Sequence, residues 1–166
     1  YKGFKSLDDN YDIVCKFDGD IILPKDYFEK ISKIFINKKS VGIAGGNMYI
    51  LKKNKWIYEN ISSKSHVRGP IKAYRKECFF DIGGIKAHIG WDTLDVLLAK
   101  KNGWEVFTDK NLRVKHLKIT GSSYTFKSKF SQGIALYCMR FGIILSILTL
   151  IKSSYNSLDI TKLFFG

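Results

Sequence analysis

The chain switches hydrophobic period repeatedly along its length, and no other feature restricts its fold so strongly. "YDIVCKF" (11–17) is an apolar run bounded by polar residues, which predicts a buried strand. "LPKDYFEKISKIFINKK" (23–39) follows with a helical period: Pro24 suits a first turn, and Tyr27, Phe28, Ile31, Ile34 and Phe35 share one face. "VGIAGGNMYIL" (41–51) predicts a second strand carrying a Gly-Gly bend, and "HVRGPIKAY" (66–74) another extended piece. A short helix over "RKECFFDI" (75–82) ends at Gly83-Gly84. Asp92 is a good N-cap for the helix "TLDVLLAKKN" (93–102), which stops at Gly103, and short strands "WEVFT" and "NLRVKH" come next. Strands interleaved with helices indicate an α/β fold, in which ligands collect at the carboxyl ends of strands.

At 166 residues, with 45% hydrophobic and 14% aromatic content, the chain suffices for one well-formed core and hardly for two. It opens on Tyr1 with no Met and no leader pattern, so it reads as a piece of a longer protein. The net charge of +13 favours an anionic partner such as nucleic acid, an acidic membrane or a phosphorylated substrate. The lysines are spread along the chain, with Lys38-Lys39, Lys52-Lys53 and Lys100-Lys101 as isolated pairs, which argues against a nucleic-acid stripe. Cys15, Cys78 and Cys138 are odd in number, lack metal-type spacing and lie in apolar surroundings, as reduced thiols of a cytoplasmic protein do.

Asp18-Gly19-Asp20 stands just past the first strand. Taken alone, the tripeptide reads first as an ordinary polar turn. Two carboxylates held close repel each other, however, and a hard divalent cation beside them relieves that repulsion while keeping positions open for phosphate oxygens.

The segments "VCKFDGD", "VGIAGGNMY", "HVRGPIKAYRKECFFDIGGI", "GWDTLDVLLAKKNGWEV" and "VKHLKITGS" occur in the order seen in glycosyltransferase family 2. Over roughly residues 8 to 123 the chain resembles that family's nucleotide-diphospho-sugar-dependent enzymes of GT-A fold, a mixed sheet flanked by helices. The resemblance implies inverting transfer of a sugar from a nucleotide-sugar donor to an acceptor hydroxyl, assisted by Mn²⁺ or Mg²⁺, in polysaccharide or glycolipid synthesis. Asp18 and Asp20 then form the family's Asp-x-Asp motif, Asp20 toward the metal and diphosphate, Asp18 toward the ribose or the metal shell. Asp92 takes the place of the aspartate in the family's Glu-Asp motif and becomes the general base; Trp91 stands where many members carry Glu, which leaves Asp95, one turn on, as a rival. His116 falls near a histidine that completes the metal shell in some GT-A enzymes, or is simply structural.

Gly69 and Arg75 lie in the segment that shapes the donor-sugar and acceptor pocket of such enzymes. Gly69 would permit close backbone approach, whereas Arg75 reads equally as a solvated helix start. Trp91 either stacks on a sugar or belongs to the core. Only about seventeen residues precede the motif, so the resemblance covers the C-terminal two thirds of a catalytic domain (residues 1–124), with the base-binding start missing and activity of the piece alone in question. Residues 125–166 form a helical tail. "FSQGIALYCMRFGIILSILTLIK" (130–152) is apolar but interrupted by Arg140, and is too short on either side to span a bilayer. It reads as a core helix or as one lying on the inner face of the membrane, near a saccharide or lipid-linked acceptor. Two other classes remain: a metal-dependent phosphohydrolase, for which three histidines are few, and a basic nucleic-acid-binding module.

Overall fold

The computed structural model describes residues 4, 8–59, 66–87, 89–118, 133–137, 140 and 142–157. Its organising strand is β3 (Val41–Lys52), preceded by β1 (Ile13–Phe17), β2 (Ile21–Ile22) and the helix α1 (Tyr27–Asn37). After it come β4 (Lys55–Tyr58), β5 (Ile71–Arg75), α2 (Lys76–Asp81), α3 (Trp91–Lys101), β6 (Glu105–His116) and α4 (Gly142–Ser157). The chain divides into two compact units, Tyr1–Ala87 with Trp91–Ser122, and His88–Gly90 with Ser123–Gly166.

Among the described residues the first unit holds one six-stranded mixed sheet in the order β1-β5-β3-β6-β2, with β4 also pairing β3. β3 and β6 run parallel, while β5 lies antiparallel to both β1 and β3. Val41, Ile43 and Ala44 are wholly buried, which is why this stretch of β3 is a continuous apolar run rather than an alternating one. The core joins Tyr27, Ile31 and Phe35 of α1 to the sheet, and Cys78, Phe79, Val96 and Ala99 from α2 and α3. Tyr27 keeps its hydroxyl satisfied by donating to Ile71 O at 2.9 Å.

Several boundaries differ from the sequence expectation. Pro24 lies before α1, not in its first turn: its carbonyl accepts from Tyr27 N at 3.0 Å and closes a turn that delays the helix to Tyr27. Phe28, expected on the buried face, is 58% exposed. Of the extended 66–74 segment only residues 71–74 pair as a strand, which runs on to Arg75, and Gly69-Pro70 forms a turn. Asp92 sits inside the first turn of α3, which already starts at Trp91. The two short strands expected after Gly103 are one, β6, whose register against β3 slips between Gly46–Asp109 and Asn47–Arg113. Gly46 permits that slip: a Cβ there would stand 2.1 Å from Leu112 O.

In the second unit residues 133–137 are helical, Arg140 adopts φ 53° and Gly142 φ 69°, and α4 follows. Lys127, Lys129, Cys138 and the chain beyond Ser157 lie outside the described residues. No helix among the described residues is long and apolar enough to cross a membrane.

Candidate functional site

Strand pairing assembles the site at one end of the sheet. Phe17, the last residue of β1, pairs with Ile71, the first of β5, so the Gly69-Pro70 turn lies beside Asp18. Asp18 N donates to Pro70 O at 3.2 Å. Lys16 ties this corner together: its Nζ donates to Gly69 O at 3.1 Å and to Asp18 Oδ1 at 3.2 Å, and stands 3.5 Å from Asp92 Oδ1. Asp18 and Asp92, far apart in sequence, thus share one ammonium group. The Asp18 and Asp92 side chains remain 44% and 49% exposed, open to a ligand.

Gly69 is what allows Asp92 in. A Cβ at that position would lie 2.2 Å from Asp92 Oδ2 and 2.9 Å from Oδ1, so no other residue leaves the carboxylate where it is.

The second half of the site comes from the end of β6. Ile21 of β2 pairs with His116, which sets Asp20 against the imidazole: Asp20 Oδ1 is 3.6 Å from His116 Nε2. Behind the ring, Glu59 Oε2 lies 3.7 Å from Nδ1 and receives Arg68 at 2.9 Å. Glu59 is 5% and His116 7% exposed, so the carboxylate, the ring and Arg68 form a largely buried backing for the Asp20 side. His116 Nδ1 has no hydrogen-bond partner.

Among the described residues no three His, Cys, Asp or Glu side chains converge in a group able to hold a metal unaided. Asp20 and His116 do fit a hard cation shared with a ligand. Two donors on one such ion, each about 2.1 Å from it, stand about 3 to 4 Å apart, and the observed separation is 3.6 Å. Asp18, by contrast, is engaged by Lys16.

Beneath the surface lies a buried ionic cluster. Lys72 and Asp95 are both 0% exposed; Lys72 Nζ donates to both carboxylate oxygens at 2.7 Å and to the backbone oxygen of Asp92. Tyr74 donates its hydroxyl to Asp95 Oδ2 at 2.6 Å. Burial holds the Lys72 ammonium below its usual range, against the pull of Asp95, and raises the Tyr74 hydroxyl. The cluster pins the first turn of α3 to β5 and so fixes the height of Asp92 above the sheet. Nearby, burial also lowers His66, with Lys72 adding to the effect.

Of the residues singled out in the sequence, Asp18, Gly69 and Asp92 meet around Lys16, and Asp20 meets His116. Asp95 faces inward and is committed to Lys72 and Tyr74, which leaves Asp92 as the exposed carboxylate of α3 at this corner. Trp91 is 7% exposed and packed in the core, with its indole Nε1 lacking a hydrogen-bond partner. Arg75 sits at the opposite end of β5, donating to Val41 O at 2.9 Å and to Phe35 O and Lys38 O. Sequence reasoning missed Lys16, Lys72 and Glu59. Lys72 carried a signal: a lysine between Ile71 and Ala73 in a strand needs a buried counter-charge.

What fold and site define together is a mixed α/β protein with a carboxylate, lysine and histidine site at strand ends. No protein-family model and no curated protein matches the chain.

Proposed function

We propose that this site belongs to an inverting, nucleotide-diphospho-sugar-dependent glycosyltransferase of GT-A type, working in the cytoplasm. The observation that carries the reading is the Lys16 bridge between Asp18 and Asp92, with Gly69 admitting the Asp92 carboxylate. A transferase of this kind needs an anion-binding side for the donor diphosphate and, close to it, a carboxylate that takes the acceptor proton. Asp20 and His116 would supply the first by holding a divalent cation, and Asp92 would supply the second.

In the reaction Asp92 accepts the proton of an acceptor hydroxyl. The hydroxyl oxygen forms a bond to the anomeric carbon, whose bond to the diphosphate oxygen breaks, and the nucleoside diphosphate departs with the electron pair. Asp20 and His116 would hold Mn²⁺ or Mg²⁺, which would supply positive charge for the departing diphosphate. Lys16 steadies Asp92 against the Gly69 turn and places a positive charge beside Asp18. The buried Lys72–Asp95 pair carries no proton in this scheme; it holds α3 in position. The free thiols Cys15 and Cys78 suit a reducing compartment.

Calorimetry with UDP and GDP, in the presence and absence of Mn²⁺, tests the proposal in the full-length protein. Nucleotide binding that needs Mn²⁺ and is lost in Asp20→Ala supports it. Unchanged metal-dependent binding in that variant would sink it.

A further inference from the structure

The second unit presents an apolar surface of a different kind from the sugar-transfer site, and an inference from it stands whether or not the transferase reading does. Ile143 and Ile144 at the start of α4 are 80% and 77% exposed, and Leu145, Ile147, Leu148 and Ile151 are each more than half exposed. At about 100° per residue these six side chains cover one broad side of the helix, with Gly142, Ser146 and Thr149 on the other. Monomeric soluble proteins rarely leave so continuous an apolar face in water.

Next to this face lies a groove of about 730 Å³, lined by Leu136, Tyr137, Arg140, Ile143 and Ile147 among others. Tyr137 is 84% exposed, an aromatic ring with a polar tip, and Arg140 is exposed at the break before α4. The stretch from Ser123 to Gly166 carries five basic residues and one acidic residue, Asp159, within a chain of net charge +13.

We propose that α4 and the adjoining groove dock on an anionic phospholipid bilayer, with α4 lying in the interfacial plane. The apolar side enters the headgroup boundary, and Arg140 reaches the lipid phosphates while Tyr137 sits at the water boundary. Charge selects this occupant over a second copy of the chain, because two such basic units repel each other whereas an anionic leaflet attracts both. The helix lies on the bilayer and does not cross it.

Vesicle flotation of the full-length protein tests the surface, comparing phosphatidylglycerol-containing vesicles with phosphatidylcholine alone at low and high salt. The variants are Ile143→Glu with Ile144→Glu, both at exposed positions, and Arg140→Gln, with circular dichroism reporting the fold. Binding to anionic vesicles that falls about tenfold or more with salt, and likewise in the double variant, is expected, with a smaller loss in Arg140→Gln. Equal binding by wild type and double variant, equal binding to neutral and anionic vesicles, or no binding overturns the proposal. So does a dimer in sedimentation velocity that the double variant dissociates without any vesicle binding, since the face would then belong to a second copy.

Discussion

Gly69 and Asp92 stand so close that a single methyl group on the glycine would lie 2.2 Å from a carboxylate oxygen. The oxygen is the far end of a half-exposed side chain, so Gly69→Ala moves Asp92 at little cost to stability. The expected outcome is a midpoint of urea unfolding near wild type and, on the proposed transferase reading, sugar turnover reduced about tenfold to a hundredfold by displacement of Asp92. Parallel denaturation and nucleotide-sugar turnover measurements on the full-length protein check it.

Asp92→Asn keeps the shape of the side chain and removes its capacity to take a proton. Turnover should fall by about 10²-fold or more, with Mn²⁺-dependent nucleotide binding nearly intact. Loss of binding and turnover together would instead assign Asp92 to holding the donor.

Asp95→Ala should behave in the opposite way, since it leaves the Lys72 ammonium, at 0% exposure, without its counter-charge and the Tyr74 hydroxyl without its acceptor. Removing one member of a buried ion pair typically destabilises by about 3 to 5 kcal/mol, and denaturant titration measures that directly. Replacing the pair together, as Lys72→Met with Asp95→Leu, should recover part of the loss.

Alkaline pH should weaken the fold. Burial pushes the Cys15 thiol up to about 11 and the Cys78 thiol up to about 12 from the ordinary 9.0, and raises Tyr27 and Tyr74 as well. Groups with a raised folded pKa contribute fully below the unfolded value and lose that contribution as pH climbs through the folded one. Above about pH 9 the unfolded chain therefore holds fewer protons than the native one, and stability falls, by at most about 1.4 kcal/mol per pH unit for the wholly buried Cys78. Lys72, lowered by burial, acts in the other sense, but it is one group against four. Urea midpoints measured from neutral to about pH 10.5 should decline over the last two units.

Much of the sheet could be read from the residues, because β3 and β5 are buried over most of their length, and buried strands print their burial as apolar runs, while β1 is a partly buried run around Val14. β2 and β4 could not: two residues, Ile21 and Ile22, pair only because β6 offers its last two positions, and β4 exists through a hairpin at Lys53 and Asn54, both at positive φ. The sequence suggests two strands where β6 is one, because Asp109 to Asn111 are turn-like residues, and Asp109 accepts from Asn111 N at 2.9 Å in the manner of a turn. For the candidate site, the spacing of Asp18 and Asp20 after an apolar run marks a strand end, and the structure places both just past β1. Lys16 was not legible, since nothing local distinguishes a lysine that spans two aspartates from one that faces water. Arg75 shows the converse: its neighbourhood in sequence suggested a pocket, while its guanidinium binds three backbone carbonyls at the far end of the strand.

The antiparallel insertion of β5 between β1 and β3 also has a kinetic consequence. Among the described residues β1 pairs with β5 alone, with Ile13 opposite Arg75, whereas β3 and β4 can close a hairpin on their own. Pairings so distant along the chain form late, after local ones have removed much of the loop entropy. During synthesis β1 must wait, unpaired, until β5 has left the ribosome. β2 waits longer still, because Ile21 has no partner until His116 of β6 emerges, so the corner around Lys16 can form while the Asp20–His116 side of the site is still open.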